Sequence, residues 1–136
     1  MKRLALSLAA LLALSGAAPA QSPPARPSAP PASPEAQLPY DGQLLRLSEL
    51  MGALAWLREI CAPGQGAEFR AKMAALLGAE ANSEPRKELF AGAFNRGFGD
   101  YRLSYASCTP AAELIITRFL DEAGKLAKDV ADRFGG

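Results

Sequence analysis

Residues 41–61, DGQLLRLSELMGALAWLREIC, carry more apolar side chains than one face of a surface helix can hold. Within this stretch apolar residues recur every three or four positions, which is the spacing of one helix face, and Pro63-Gly64 ends the run. The members of this stripe are Leu47, Leu50, Met51, Leu54, Leu57 and Cys61. The pattern predicts a helix from Asp41 to Cys61.

A second apolar set of this helix lies outside the stripe. At about 100° per residue, the other sides of the helix carry Leu45, Gly52, Ala53, Trp56 and Ile60. Two interpretations stay open. The helix is either central and covered by its neighbours, or it docks to a partner or to a second copy of the chain with Trp56 as the anchor.

Two further helical segments follow. A shorter helix is predicted from Ala67 to Ala79, with Phe69, Met73, Leu76 and Leu77 on one side. Ser83 is a suitable cap for a third helix, and Pro85 falls in its first turn, where a missing N–H costs little. The stripe of this third helix is aromatic and consists of Phe90, Phe94, Phe98, Tyr101 and Tyr105.

Three glycines interrupt the third helix at positions 92, 97 and 99. Each costs up to about 1 kcal/mol relative to alanine inside a helix. Either close packing against another helix or a local break near Asn95-Arg96-Gly97 would explain them.

The fourth helix has the clearest signals, because Thr109 can cap it, Pro110 takes its first position and Gly135 closes it. Short connections between amphipathic helices favour antiparallel packing. The sequence therefore predicts an all-α fold, a small antiparallel bundle of about four helices over residues 39–136.

The first 38 residues have a different character. A basic head of Lys2 and Arg3, an apolar run from Leu4 to Leu14 and the small residues around Ala20 are typical of a secretory signal peptide over residues 1–20. Residues 21–38 are rich in Pro, Ala and Ser, which predicts a disordered tether. We therefore expect a periplasmic protein with no stable membrane span after cleavage.

The chain contains two cysteines. In an exported domain of this size an even cysteine count indicates a disulfide, and two cysteines allow one pairing. We expect Cys61 and Cys108 to be joined, tying the end of the first helix to the junction of the third and fourth.

Composition argues against several functions. Without Lys2 and Arg3, 13 basic residues face 14 acidic ones, and no basic block occurs, so no nucleic-acid partner is expected. The chain has no histidine, and its glutamates show no metal-ligand spacing, so neither a metal site nor a catalytic triad is predicted. No cofactor is expected either.

Three residues, Asn95, Arg96 and Trp56, remain as candidate binding residues. Asn95 and Arg96 lie in the glycine-interrupted segment beside the aromatic stripe, where an arginine serves either in an internal salt bridge or in ligand binding. Arg58 and Glu59, near the end of the first helix, are the next place to consider after Asn95 and Arg96. Trp56 is a candidate as the anchor of a docking face.

Several segments together resemble a known family. They are Pro39-Tyr40-Asp41, Leu57-Arg58-Glu59-Ile60-Cys61, Phe94-Asn95-Arg96-Gly97-Phe98 and Cys108-Thr109-Pro110-Ala111-Ala112. In these the chain is similar, over nearly all of residues 39–130, to a family of small exported alphaproteobacterial proteins defined as a domain of unknown function. The resemblance implies an exported helical domain and assigns no catalytic residue.

The sequence favours a non-catalytic exported domain that binds another component of the cell envelope, with an envelope protein or a second copy as the partner. The alternative is a periplasmic enzyme that acts through carboxylate and arginine side chains.

Overall fold

A computed structural model describes residues 37–135 as an all-α bundle. Its helices are Asp41–Cys61 (α1), Gly66–Glu80 (α2), Glu84–Ser104 (α3) and Pro110–Phe134 (α4). Within these residues no strand occurs, and the predicted fold of four helices is confirmed. The predictions for the signal peptide, and for the tether up to residue 36, lie outside the described part of the chain.

Local sequence sets the beginnings of α3 and α4. The Ser83 hydroxyl accepts a hydrogen bond from the Arg86 N–H at 3.3 Å, and the Thr109 hydroxyl accepts one from the Ala112 N–H at 3.1 Å. Both helices have a proline in the first turn, as predicted. These caps satisfy N–H groups that have no partner within a helix.

Helix α1 is the centre of the bundle, because α2, α3 and α4 all pack against it. The largest fully buried apolar side chains are Phe90, Leu50, Leu54 and Leu57, and three of these four belong to α1. Gly52 and Ala53, outside the main stripe, are buried as well. The central-helix interpretation therefore holds for this part of α1.

The helices alternate in direction. The Asp41 carboxylate at the start of α1 contacts Arg86 near the start of α3, so α1 and α3 run parallel. Arg46, also near the start of α1, contacts Glu122 in the second half of α4, so α4 runs antiparallel to α1. Helix α2 connects α1 to α3 and runs opposite to both.

Helices α1 and α3 approach closely at two glycines. A Cβ atom on Gly52 would lie 1.9 Å from the Phe94 carbonyl oxygen, and one on Gly97 would lie 2.0 Å from the Glu49 carbonyl oxygen. Side chains at these positions would hold the two backbones apart. Absence of a Cβ is therefore what allows the contact.

Helix α3 is continuous, so the alternative of a break near residues 95–97 is wrong. Close packing explains Gly97, whereas Gly99 has open space around it and a Cβ on Gly92 would meet the Arg96 side chain at an ordinary 3.7 Å. Gly52 supplies the other close approach from α1.

The disulfide is confirmed, since Cys61 and Cys108 are at bonding distance. It joins the last residue of α1 to the segment between α3 and α4, as the sequence predicted. None of the four described helices has the length and hydropathy needed to cross a membrane.

Candidate functional site

An apolar groove runs between α2 and α4. Both helices pack on α1, but they do not pack on each other over the described residues. Leu47 and Met51 of α1 lie at the bottom, Leu76 belongs to the α2 wall, and Ala127 belongs to the α4 wall. We call this feature the α2–α4 groove.

The α2–α4 groove consists of two adjoining cavities of about 310 Å³ and about 400 Å³. Leu47, Leu76 and Ala127 line both cavities, which makes the apolar surface continuous. The smaller cavity is further lined by Tyr40, Leu44, Ala79, Glu80, Val130, Ala131, Phe134 and Gly135, and the larger by Met51, Phe69, Lys72, Leu120, Ala123 and Gly124.

The lining of the two cavities carries one charge of each sign, at different ends. Lys72 lines the larger cavity and Glu80 the smaller one. Lys72 forms an ion pair with Glu68 at 3.2 Å, and both side chains are more than half exposed. An exposed pair one helical turn apart contributes little to stability.

A buried ion pair fixes the Glu80 end of the α2–α4 groove. Arg86 donates from Nη1 and Nη2 to the two Asp41 carboxylate oxygens, at 2.9 and 2.6 Å, and from Nε to the Glu80 carbonyl oxygen at 2.8 Å. The Leu38 N–H donates to the same carboxylate at 2.8 Å. Hydrogen bonding from Arg86 holds the pKa of Asp41 below its ordinary value. The network thereby joins the beginning of α1 to the end of α2.

The same region places two aromatic rings at the end of the groove. Tyr40, the residue before Asp41, has its ring centroid 5.0 Å from that of Phe134 at the end of α4. Both rings line the smaller cavity. The ion pair therefore also positions this aromatic end wall.

The beginning of α2 is held by Glu59 of α1. Its carboxylate accepts hydrogen bonds from the N–H groups of Gly64, at 3.1 Å, and Gly66, at 3.2 Å. A negative charge at a helix N-terminus is stabilising, and here it comes from the neighbouring helix. Helix α2 is thus fastened to the rest of the bundle at both ends, which makes the groove a preformed feature.

Helix α4, the other wall, is attached to α1 by a bidentate pair. Arg46 donates from Nε to Glu122 Oε1 at 2.7 Å and from Nη2 to Oε2 at 3.1 Å, which lowers the pKa of Glu122. Gln43 of α1 also donates a hydrogen bond to the carboxylate of Asp129, which lies nearer the end of α4 than Glu122. Two-point hydrogen bonding of this kind fixes orientation as well as distance.

Trp56 is a predicted binding residue, and one side of its side chain packs against α3 and the residue that follows it. Its indole N–H donates to the Tyr105 carbonyl oxygen at 2.8 Å, and its ring meets Phe98 edge to face at 5.7 Å between centroids. The side chain remains partly exposed. It does not line the α2–α4 groove.

Asn95 and Arg96 are exposed on α3 and do not line the groove either. Among residues 37–135, Arg96 makes no ion pair, and the buried ion pair expected of an arginine belongs to Arg86 instead. The structure therefore does not bring together Trp56, Asn95 and Arg96 with the groove residues.

Sequence reasoning missed both the groove and the Asp41–Arg86 pair. Asp41 stands at the start of an apolar helix, and Arg86 in the first turn of another, which are common surface positions for charges. No sequence signal separates Arg86 from the other arginines of the chain.

The described residues hold no cluster of three or more cysteine and carboxylate side chains that could bind a metal ion. The lining of the α2–α4 groove offers an apolar surface between two helical walls, with Lys72 and Glu80 as its charged side chains.

The fold and the groove define a small disulfide-bonded helical domain with an open apolar groove. The family described as a protein of unknown function (DUF2385) matches residues 39–134, and the chain belongs to this family. Neither the curated proteins nor the solved structures provide a match.

Proposed function

We propose that this protein is exported and acts in the cell envelope as a non-catalytic binding domain, with the α2–α4 groove as its binding surface. The observation that carries the proposal is the groove itself. Its lining is apolar over two adjoining cavities, although it opens to solvent and its walls are fixed at their ends. Concave apolar surfaces with a few polar groups are the usual form of a binding site.

The disulfide supports the location. Disulfides form and persist in oxidising compartments such as the periplasm, and Cys61 and Cys108 are joined here. Export itself rests on residues 1–20, whose pattern is that of a signal peptide. Intact-mass measurement of the protein from the periplasm should give a chain that begins at Gln21. A mass that retains residues 1–20 would contradict the cleavage.

Groove filling tests the binding proposal. Ala127 lines both cavities and is exposed, so Ala127→Phe should fill the groove from the α4 side. Ala74→Phe is the matched control, because Ala74 is equally exposed on α2 and lines neither cavity. Capture of an envelope component by the immobilised full chain should be lost with Ala127→Phe and retained with Ala74→Phe. Equal capture by both variants would overturn the proposal.

Trp56, Asn95 and Arg96 provide the competing surface. If the partner docks there, Trp56→Ala or Arg96→Ala should weaken capture while Ala127→Phe leaves it unchanged. Sedimentation of the same variants tests whether the partner is a second copy of the chain. Turnover of an envelope substrate that Arg96→Ala abolishes would favour the enzyme alternative.

A further inference from the structure

The Cys61–Cys108 disulfide lines neither cavity of the α2–α4 groove. We propose that the Cys108 sulfur is the point at which external thiols attack this bond, and that the Glu113 carboxylate selects among them. Thiols with a further negative charge are repelled, whereas thiols with a positive charge beside the sulfur are admitted. This inference goes beyond the proposed binding function and does not depend on it.

The two cysteines of the bond differ in exposure. Cys108 lies in the segment between α3 and α4 and is exposed, whereas Cys61 ends α1 and is only partly exposed. Thiol–disulfide exchange depends on access of the attacking thiolate to a sulfur atom. The exposed Cys108 sulfur is therefore the one that an external thiol reaches first.

The exchange proceeds in two steps with a small thiol as the reductant. Its thiolate attacks Cys108 Sγ, a new S–S bond forms there, and the bond between the two cysteines breaks. The electron pair leaves on Cys61 Sγ, which then takes a proton from water. A second thiolate attacks the mixed disulfide, so two small thiols are oxidised to their own disulfide and the protein gains two thiols.

The place of Cys108 along the chain would by itself favour this attack. Cys108 comes just before Thr109, the N-cap of α4. A helix N-terminus carries partial positive charge, which stabilises thiolates near it. Without a further charge nearby, an exposed disulfide in this position would be open to reduction.

Glu113 supplies the opposing charge. It belongs to the first turn of α4, and its Oε1 lies 4.0 Å from Cys108 Sγ. Over the described residues Glu113 forms no ion pair, so no cation offsets its charge beside the sulfur. Two like charges about 6 Å apart in water repel enough to slow a reaction about threefold. A second negative charge on the thiol slows it further, and a positive charge compensates.

Attack on the other sulfur meets the same carboxylate. If a thiolate attacked Cys61, then Cys108 would leave as a thiolate beside Glu113. Both routes therefore place negative charge next to Glu113, and its effect applies to the bond as a whole.

The attachment of α4 gives this protection a consequence. The buried side chains of α4, Ala112 and Ile116, both lie in about the first two turns of the helix, next to Cys108. Reduction would free this end of α4 from the end of α1. By slowing reduction, Glu113 preserves the attachment of one wall of the α2–α4 groove.

The test measures how fast small thiols reduce the full disulfide-bonded chain, without denaturant and at low ionic strength. Mercaptoethanesulfonate carries a sulfonate near its thiol, and cysteamine carries an ammonium group. Glu113→Gln should speed reduction by mercaptoethanesulfonate about fivefold and reduction by cysteamine less than about twofold. In about 1 M salt the fivefold difference should fall below about twofold, because charges are then screened within about 3 Å.

Glu84→Gln is the matched control. Glu84 is an exposed carboxylate in the first turn of α3, and it lies at the opposite end of that helix from the disulfide. This variant should change neither rate. Acid quenching and peptide mass mapping should find the first mixed disulfide on Cys108, at a rate proportional to the thiol concentration.

Four results would overturn the proposal. Equal acceleration of both reagents by Glu113→Gln would show a loosened α4 instead of a charge effect. Unchanged rates would show that Glu113 does not act on the bond. A first mixed disulfide on Cys61, or a rate independent of thiol concentration, would show that the native bond is not attacked at Cys108.

Discussion

The two sides of α1 pack in opposite ways. On one side, Gly52 and Ala53 are small, and the backbone of α3 lies directly against that of α1. On the other side, Leu47 and Met51 are large, and α2 and α4 stand apart with the groove between them. Side-chain size along α1 therefore decides where the bundle closes and where it stays open.

The largest expected effect comes from adding a methyl group on the closed side. Gly52→Ala would place Cβ 1.9 Å from the Phe94 carbonyl oxygen, so α3 would have to move as a whole. We expect a loss of about 4 kcal/mol in the free energy of unfolding, measured by chemical denaturation. The control is Gly99→Ala, which meets open space and should gain up to about 1 kcal/mol. Equal effects of the two changes would contradict the close approach.

Removal of the disulfide should have an effect of similar size. The bond joins residues 47 positions apart, and the loop-entropy relation gives about 4 kcal/mol for such a loop. The Cys61→Ser/Cys108→Ser variant should lose about this much, and wild type treated with a reductant should unfold at the same denaturant concentration as the variant. Thiol titration of the denatured protein, purified without reductant, should find no free thiol, and two free thiols would refute the bond.

Breaking the buried ion pair should cost somewhat less. Arg86→Met leaves the Asp41 carboxylate buried without its main partner, although the Leu38 N–H still donates to it. We expect a loss of about 3 kcal/mol, at the low end for a buried pair. Arg102→Met, at an exposed position of the same helix, should change stability by less than about 0.5 kcal/mol. If Arg86→Met left the free energy of unfolding unchanged, the pair would not anchor the end of the groove.

The same pair predicts a smaller, pH-dependent effect. The pKa of Asp41 is lower in the folded protein than its ordinary value of 3.8. Its contribution is therefore fully present well above pH 3.8 and is lost as the pH falls through the folded-state pKa. Denaturation curves between pH 7 and pH 2 should show a stability loss on the acid side that is smaller in Asp41→Asn. An identical acid-side loss in the variant would exclude Asp41 as its source.

Much of the framework follows from local sequence signals. Ser83 and Thr109 both cap the helices that they were predicted to cap, because capping depends on a few adjacent residues. The pairing of Cys61 with Cys108 followed from the count of two. These features need no knowledge of how the helices pack.

The candidate site could not be predicted in the same way. The α2–α4 groove exists because two helices distant in sequence are held apart on α1, and that spacing depends on packing. Glycines show the same limit, since Gly97 and Gly99 look alike in the sequence and only Gly97 meets a backbone. The partner of Arg86 lies 45 positions away, beyond any local pattern.

The central claim is that the close-packed α1–α3 pair is the most stable part of the bundle, whereas α2, which is fastened at both ends but packs less closely on α1, forms a wall of the groove. Native-state hydrogen exchange of the full chain tests it most directly, because exchange measures the free energy of opening at each amide. We expect amides in the middle of α1 and α3 to exchange at least about tenfold more slowly than those in the middle of α2, a difference of about 1.4 kcal/mol. Amides of α2 that exchange as slowly as those around Gly52 would contradict it.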